Sequence, residues 1–438
     1  MRQIKKVFYG MGRLGSTSLL SIISLATFYI YLSHYNLNPV LDGWANGISK
    51  LVIAFGAYFI GYLSDKISNS KSGRRRPFII IGSIGLAISF MLLYLPEFFI
   101  PLTDQFIIFL YEAFWLSLFN FFYGFLLTPY QAWMQEITTP EERIEVSGYE
   151  NTFNLIGNII GIVGTFTLPM IINQGGTLLI ELVVILAIVE IIMYMPAYLT
   201  IREPERPIPS KNIIQETLQA VKNKNYDLWL ISQGMMSVGF SIIITIILTY
   251  VSDFLKLQGL KLFVFALILL LVVLVFFVIW TRMGSRMGIK STMTIALSLL
   301  SIVLFMTLFI GTPTIPLPID YQGYIFIALA SIGISGYWLF PYAIMAHIIE
   351  VDEIMSGENR AGMYTGFNSI PLNIFQAIAM VLTGYIVDLP NQLGMYIWGP
   401  VSSIFIIIGL IIFRYVETDP DFEKLRKEFE RPAIEIPE

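Results

Sequence analysis

The most informative polar residues of this sequence lie within long apolar runs, where a polar side chain finds little water to bind. One run places Ser147, Asn151, Asn154, Asn158 and Thr165 within about 60° of arc on a helix. An asparagine amide both donates and accepts hydrogen bonds, which suits a neutral ligand rich in hydroxyl groups. The same stripe also suits hydrogen bonding to a neighbouring helix, and the sequence leaves both interpretations open.

Three other apolar runs carry polar or aromatic side chains that we predict to contact the same ligand. The polar members offer hydroxyl or amide groups, and the aromatic members offer ring faces. Hydroxyl groups also bond to their own helix backbone, and aromatic rings pack against one another, so the signal is weaker here. These residues are Thr17, Ser24 and Tyr31 in the first run, Trp115 and Tyr123 in the fourth, and Asn373 and Gln376 in the eleventh.

Three carboxyl groups inside apolar runs are candidates for binding a coupling cation. They are Glu150, Glu112 and Glu190. Burial favours the protonated form of a carboxyl group, so a group that gains and loses a proton can couple proton movement to another event. A protonated glutamic acid that only donates a structural hydrogen bond explains Glu190 equally well. We prefer Glu150, because it borders the stripe of asparagines.

The composition indicates that lipid surrounds most of the chain. Of 438 residues, 56% are hydrophobic and 13% are charged, and the mean hydropathy is +0.72. A helix of about 20 apolar residues spans a bilayer. Twelve runs of this kind occur, at 14–35, 40–64, 77–95, 105–128, 146–171, 177–200, 228–252, 261–281, 291–311, 321–345, 361–387 and 392–415. The first run is too long for a cleaved signal peptide, so we predict a retained helix.

Positive charges predict the orientation of these helices. The formal net charge is −4, yet residues 61–77 carry five Lys and Arg against one Asp. Cytoplasmic loops collect Lys and Arg. With both termini inside, only Lys50, Lys256 and Lys261 of the 27 basic residues lie on the outer side. We therefore predict an all-α membrane protein of twelve transmembrane helices with both termini in the cytoplasm.

The chain divides into two similar halves. A glycine and charged residues follow the second run, and a looser version of the loop, TRMGSRMGIKS at 281–291, follows the eighth. An echo at half the chain length predicts a six-plus-six repeat. We predict an N-terminal six-helix bundle at 1–200, a cytoplasmic linker at 201–227, a C-terminal six-helix bundle at 228–416 and a cytoplasmic tail at 417–438.

Residues at the inner helix ends predict a cytoplasmic gate. A glycine there allows close helix approach, and opposite charges can pair across the inner surface. Exposed ion pairs contribute less than about 1 kcal/mol each, so a gate built from them opens readily. The members are Gly61, Asp65, Arg74, Arg75, Arg76, Arg143, Asp352 and Arg360. Solvation of the loops is the alternative explanation for part of this set.

Three stretches resemble one family in particular. They are GYLSDKISNSKSGRRRPFIIIG (61–82), MQEITTPEERIEVSGYENTFNLIGNIIG (134–161) and EVDEIMSGENRAGMYTGFNS (350–369). They are similar to the glycoside–pentoside–hexuronide:cation symporters of the major facilitator superfamily, a group that includes melibiose permease. The resemblance covers all twelve runs in order. It implies a major facilitator fold of two pseudo-symmetric bundles, and alternating-access transport of a sugar or glycoside coupled to a cation.

The residues that bind the cation and the sugar in that family are replaced in this chain. Ile53 and Ala57 stand where sodium-using members carry two acidic residues on the second helix. Thr17 and Leu127 stand where the family carries its sugar-binding acids. Asn151 replaces the arginine of the family's fifth helix, and Asn373 lies at or beside the position of its eleventh-helix lysine. The comparison implies that the sodium site is absent, that protons are the better candidate for coupling, and that the sugar site is rebuilt.

The sequence gives little support to an enzyme. It has no Cys, which excludes thiolate sites, and it contains no HExxH, GxSxG or Asp-rich metal motif. We expect no catalytic residue, metal or cofactor and no nucleic acid. The expected partners are a small-molecule solute, a coupling proton and the lipid of the cell membrane. Transport of a lysolipid or other amphipath, uncoupled facilitation, a receptor and a membrane enzyme are the alternatives.

Overall fold

A computed structural model describes residues 2–66, 73, 75–174, 176–203, 223–356, 361–418 and 425. Two predicted gate residues, Arg74 and Arg360, lie outside the described residues. So do most of the linker predicted at 201–227 and most of the tail predicted at 417–438.

Within the described residues the chain forms twelve long helices and no β-strand. They are α1 (Gln3–Ser33), α2 (Pro39–Lys66), α3 (Arg76–Leu93), α4 (Gln105–Ile137), α5 (Pro140–Gln174), α6 (Gly176–Thr200), α7 (Lys224–Thr249), α8 (Leu260–Met287), α9 (Ile289–Leu304), α10 (Ile319–Ser356), α11 (Ala361–Val387) and α12 (Leu393–Phe413). The twelve predicted helices are therefore confirmed in number and order.

Eleven helices of the described chain are long and apolar enough to cross a membrane. The remaining one, α2, has 28 residues and carries Asp42 and Lys50 among its apolar side chains. Lys50 lies about 17 Å along α2 from Pro39, at 1.5 Å per residue. Lys50 therefore lies within α2, in the half of the helix nearer its outer end.

Helix α1 is the central element of the N-terminal half. It lies along α5 and also packs against α6, while α4 packs against α2 and α3. The C-terminal half repeats this plan, since α7 packs against α12 and α11 and α10 packs against α8 and α9. Across the two halves α2 packs against α11, α1 against α7, and α5 against α8.

The two halves meet closely at their outer ends. A Cβ added at Gly43 would lie 2.7 Å from the carbonyl oxygen of Met380, and one added at Gly47 would lie 2.9 Å from Val381 Cγ2. Only glycine allows two helix backbones to approach this closely. The Ser33 hydroxyl of α1 also donates a 2.5 Å hydrogen bond to Asp253, which follows α7. The outer face of the protein is closed in this state.

The space between the halves is open further in. Tyr342 of α10 is 85% exposed, although it lies within electrostatic reach of Tyr123 on α4 of the other half. A tyrosine in that position would be covered if the two halves met at its depth. The structure therefore has a closed outer face and an opening towards the inner side.

The glycine contact between α2 and α11 gives a testable prediction. A side chain at Gly384 would collide with the carbonyl oxygen of Pro39, so Gly384→Val should push the outer ends apart. The chain has no Cys, so a single cysteine introduced at Val381 reports access from outside. We expect faster labelling of that cysteine by a membrane-impermeant maleimide in the Gly384→Val background.

The matched control is Gly366→Val on the same helix, since a Cβ added at Gly366 meets nothing within 4 Å. Equal labelling rates in the two backgrounds would contradict closure through the glycine contact.

Candidate functional site

Three glycines of α1 bring two carboxyl-bearing helices close to its backbone. A Cβ at Gly10 would lie 2.9 Å from the backbone nitrogen of Glu150 on α5. A Cβ at Gly15 would lie 2.7 Å from the Cα of Glu190 on α6, and the ring of Tyr194 fills the equivalent space at Gly12. The sequence of α1 therefore places Glu150 and Glu190 on two sides of the same helix.

Arg13 lies on α1 between these contacts. Its Nε is 3.4 Å from Glu150 Oε1, and the side chains of the pair are 12% and 13% exposed. Arg13 also lies within electrostatic reach of Tyr123 on α4. Glu190 is fully buried within electrostatic reach of Arg13, and among the described residues neither of its carboxyl oxygens has a hydrogen-bond partner. We call Arg13, Glu150 and Glu190 the charge cluster.

Tyrosines cover the charge cluster on its inner side. The rings of Tyr9 and Tyr130 stack at 4.3 Å, and each hydroxyl donates to the backbone carbonyl of the other residue. Tyr194 packs edge-on against Tyr130, and its hydroxyl lies 3.0 Å from Ser16 Oγ. This packing keeps water away from Glu190, and it strengthens every electrostatic interaction within the cluster.

The formal charges of the cluster balance only with a proton. Arg13 carries one positive charge, and two ionised carboxylates would carry two negative charges. An uncompensated charge in a membrane interior is costly, and a carboxyl group avoids that cost by binding a proton. The arrangement is therefore neutral when one of the two carboxyl groups is protonated.

The asparagine stripe of α5 is hydrogen-bonded to α1. Thr17 Oγ1 donates a 2.7 Å hydrogen bond to Asn154 Oδ1, and Ser21 Oγ donates a 2.9 Å bond to Asn158 Oδ1. Both asparagines are half-buried, whereas Asn151 is exposed. The carbonyl side of each paired amide thus holds α5 to α1, while the Nδ2 donors are not used in these bonds. The role of the stripe in solute binding stays a prediction.

The other predicted solute contacts are not all brought to the same place. Tyr31 is fully buried, and its hydroxyl donates a 2.6 Å hydrogen bond to the Leu93 carbonyl inside the N-terminal half. Trp115 is half-buried and packs edge-on against Phe114. Tyr123 is the member that lies beside the charge cluster, and Ser24 is half-buried on α1.

The C-terminal half contributes polar groups near the middle of α11. Asn373 donates a 2.8 Å hydrogen bond from Nδ2 to the Ser369 carbonyl, one turn earlier on its own helix, and Gln376 is half-buried. Gly47 of α2 packs beside Ala377. Because the two helices run antiparallel, Lys50 and Asn373, each about one turn further in, come to the same depth.

The predicted gate residues stabilise the inner end of the N-terminal half in this state. Arg75 forms a 2.9 Å ion pair with Glu136 at the end of α4 and donates a 2.5 Å hydrogen bond to Ser64. Arg76 donates to the Tyr198 carbonyl on α6. The backbone nitrogens of Arg75 and Arg76 also donate hydrogen bonds to the carboxylate of Glu203.

The remaining described gate residues lie on three different helices. Gly61 of α2 faces Thr128 of α4, and Asp65 lies one turn further along α2. Arg143 lies in the first turn of α5 and Asp352 near the end of α10. A gate across the two halves stays a prediction.

Sequence reasoning missed three functional candidates. Arg13 was assigned to the basic stretch before the first helix, but α1 begins at Gln3 and Arg13 lies about 15 Å along it. Asp42 and Lys50 lie within α2, as the predicted run at 40–64 implies, but neither was singled out as a polar residue of functional interest. If a predicted run were allowed to contain one charged residue, the first run would start earlier and would include Arg13.

A family model described as MFS/sugar transport protein matches residues 8–393. The chain belongs to this family. The match confirms the resemblance stated from the inner-loop sequences. A curated relative, an uncharacterized symporter of Synechocystis sp., is 28% identical over 165 residues. That alignment covers 36% of this chain and 29% of the relative, so the chain matches under a third of that protein's length.

Solved structures share the fold over nearly the whole chain. The nucleoside transporter NupG has a TM-score of 0.65 at 15% identity, covering 97% of this chain and 100% of that one. A bacterial homolog of the human lysosomal transporter Spinster, in an inward-facing and unoccupied conformation, has a TM-score of 0.64 at 11% identity, covering 98% of each chain. The protein is a multi-pass secondary transporter with a major facilitator fold, and it is not an enzyme.

The contact between α1 and α6 gives a stability prediction. Gly15→Ala forces a methyl group against the Cα and carboxyl group of Glu190. Overpacking of this kind costs about 1–3 kcal/mol. We expect a clear loss of thermal stability in detergent, measured as a fall in Tm.

Gly164→Ala is the matched control, because its Cβ would meet Ile22 Cδ1 at an ordinary 3.5 Å. A Gly15→Ala variant as stable as Gly164→Ala would contradict the close approach of Glu190.

Proposed function

We propose that this transporter is a proton-coupled symporter of a sugar or glycoside. The observation that carries the proposal is the charge cluster, in which a single arginine, Arg13, serves two buried carboxyl groups. A cluster of this composition takes up one proton to become neutral, and it can release that proton when water reaches it. The solute site lies beside it, between the two halves.

Proton binding and solute binding are coupled because both change the partners of Arg13. With Glu190 protonated, Arg13 pairs with Glu150 and the cluster is neutral. A solute that hydrogen-bonds near Tyr123 competes for the same arginine, because Glu150 pairs with Arg13 and Tyr123 lies within electrostatic reach of it. Solute binding and proton binding then change the same set of contacts, which is the requirement for coupling between two sites.

Sodium is a poorer candidate for the coupling ion. A Cβ added at Gly124 of α4 would lie 3.2 Å from the Cα of Ala57, so the two helices touch where the family's second-helix acids would stand. Ile53 lies one turn away on the same helix. Sodium requires several oxygen ligands, and apolar side chains supply none at this point.

The sugar assignment rests on donors and rings near the space between the halves. Asn154 and Asn158 keep Nδ2 donors beside the bonds to α1. Tyr123 and Trp115 are half-buried aromatic side chains on α4. Amide donors and aromatic faces together suit a neutral polyhydroxylated ring, which agrees with the description of the matching family.

A nucleoside is the second candidate, because its ribose needs the same donors and its base can stack on a ring such as Trp115. The fold is shared with a nucleoside transporter. The substrate panel therefore contains sugars, glycosides, nucleosides and a lysolipid.

The deciding experiment is uptake into proteoliposomes. We expect a solute of the sugar or glycoside class to accumulate when the outside is acidic, and the accumulation to be insensitive to sodium. Accumulation that requires sodium would contradict proton coupling. Uptake of nucleosides alone would replace the sugar assignment and leave the coupling intact.

The charge cluster gives a second prediction. Glu190→Gln removes the group that binds the proton while keeping its size, so the variant should lose proton-driven accumulation and keep solute exchange between equal concentrations. Glu181→Gln on the same helix is the control, because Glu181 is exposed. Accumulation that survives in Glu190→Gln, with Glu181→Gln active as expected, would contradict the role of the cluster.

The asparagine stripe gives a third prediction. Asn154→Leu and Asn158→Leu should abolish uptake while the protein stays folded by size-exclusion chromatography, because the solute loses amide donors. Ser21→Ala removes only the hydroxyl that holds Asn158 to α1. If Ser21→Ala abolishes uptake as fully as Asn158→Leu, the stripe serves helix packing and the solute-binding role is wrong.

A further inference from the structure

A second carboxyl group pair lies near the outer face, away from the charge cluster. Asp42 lies in the first turn of α2, and Glu112 lies about 10 Å along α4 from its outer end. Both side chains are fully buried. Asn46 Nδ2 donates to both carboxyl groups, at 2.8 Å to Asp42 Oδ1 and 3.0 Å to Glu112 Oε1. We call Asp42 and Glu112 the outer carboxyl pair.

The geometry of the outer carboxyl pair favours a bound proton. One amide group, Asn46 Nδ2, bridges the two carboxyl groups. Among the described residues, Asp42 Oδ2 and Glu112 Oε2 are buried without a hydrogen-bond partner. Two buried carboxylates that share one donor repel each other when both are ionised, and a proton on one of them removes that repulsion.

Within the described residues neither carboxyl group forms an ion pair with a positive charge that could replace that proton, and Lys50 of α2 lies two turns further in. Tyr31 of α1 and Tyr94 after α3 are near Glu112, but their hydroxyls contact the Leu93 carbonyl and Thr27. The facing stretch of α11, residues 377–386, has Tyr385 as its one titratable side chain.

The turn that carries Asp42 is also the turn that closes the outer face. Gly384 of α11 packs directly against the Pro39 carbonyl and the Val40 Cα, and Gly43 packs against the Met380 carbonyl. When α11 moves away, this turn of α2 faces the outer water. Water then stabilises an ionised carboxylate that a dry helix interface would not.

We propose that Asp42 and Glu112 form a proton-binding site that couples protonation to closure of the outer face. The closed face requires a proton on the pair, and loss of the proton favours separation of α2 from α11. High pH therefore favours the open outer face and low pH favours the closed one. The inference goes beyond the proposed function, since it needs neither a solute nor the charge cluster.

The test uses a single cysteine at Val381, which lies against Gly47 in the closed interface. Labelling by a membrane-impermeant maleimide is measured from outside as a function of pH, without solute or gradient. The reactivity of any thiol rises with pH, so each rate is divided by that of a cysteine at the exposed outer position Thr103. We expect this ratio to rise with pH in the parent protein.

Asp42→Asn and Glu112→Gln replace each carboxyl group by an amide of the same size. Each variant should show a low labelling ratio that does not change with pH. Glu97→Gln, which alters an exposed outer carboxylate, should keep the pH dependence of the parent. If one of the two amide variants fails to fold, the other still tests the proposal.

Three results would overturn the proposal. They are a parent ratio that does not change with pH, amide variants that keep the parent's pH dependence, and a Glu97→Gln variant that loses it. None of these results bears on proton-driven uptake of the solute, so the proposed function stands or fails separately.

Discussion

A charged side chain inside a bilayer needs a compensating charge beside it, and the N-terminal half of this transporter is arranged around that requirement. Arg13 lies about 15 Å along α1, and two carboxyl groups on two other helices approach it. They can approach because Gly10 and Gly15 have no side chain that would keep α5 and α6 away. Small residues on one helix thereby create a buried site with one positive charge and two acidic groups.

The same use of glycine closes the outer face, but here the contact joins the two halves and must be reversible. Gly43, Gly47 and Gly384 let α2 and α11 approach each other closely. Contacts of this kind hold two helices together without a strong ion pair that would trap one state.

The fold could be predicted from the sequence because hydropathy and basic loops are local signals, and the family resemblance added the six-plus-six arrangement. The asparagine stripe was also predictable, since helical spacing alone places Asn154 and Asn158 together. Their partners on α1 could not be predicted, because Thr17 and Asn154 are 137 positions apart and meet only through packing. Arg13 was missed because a charge just before an apolar run looks like a loop residue until the helix boundary is known. Asp42 was missed because the sequence does not show that Glu112 of another helix shares its partner Asn46.

The central claim is that the charge cluster holds one proton on a carboxyl group at neutral pH. Infrared difference spectroscopy tests it directly, because a protonated carboxyl group has a C=O stretching band that an ionised one lacks. The spectrum of the wild-type protein minus that of Glu190→Gln should contain this band, and Glu181→Gln should give a difference spectrum without it. A wild-type spectrum that loses no protonated-carboxyl band on replacing Glu190 or Glu150 would contradict the account.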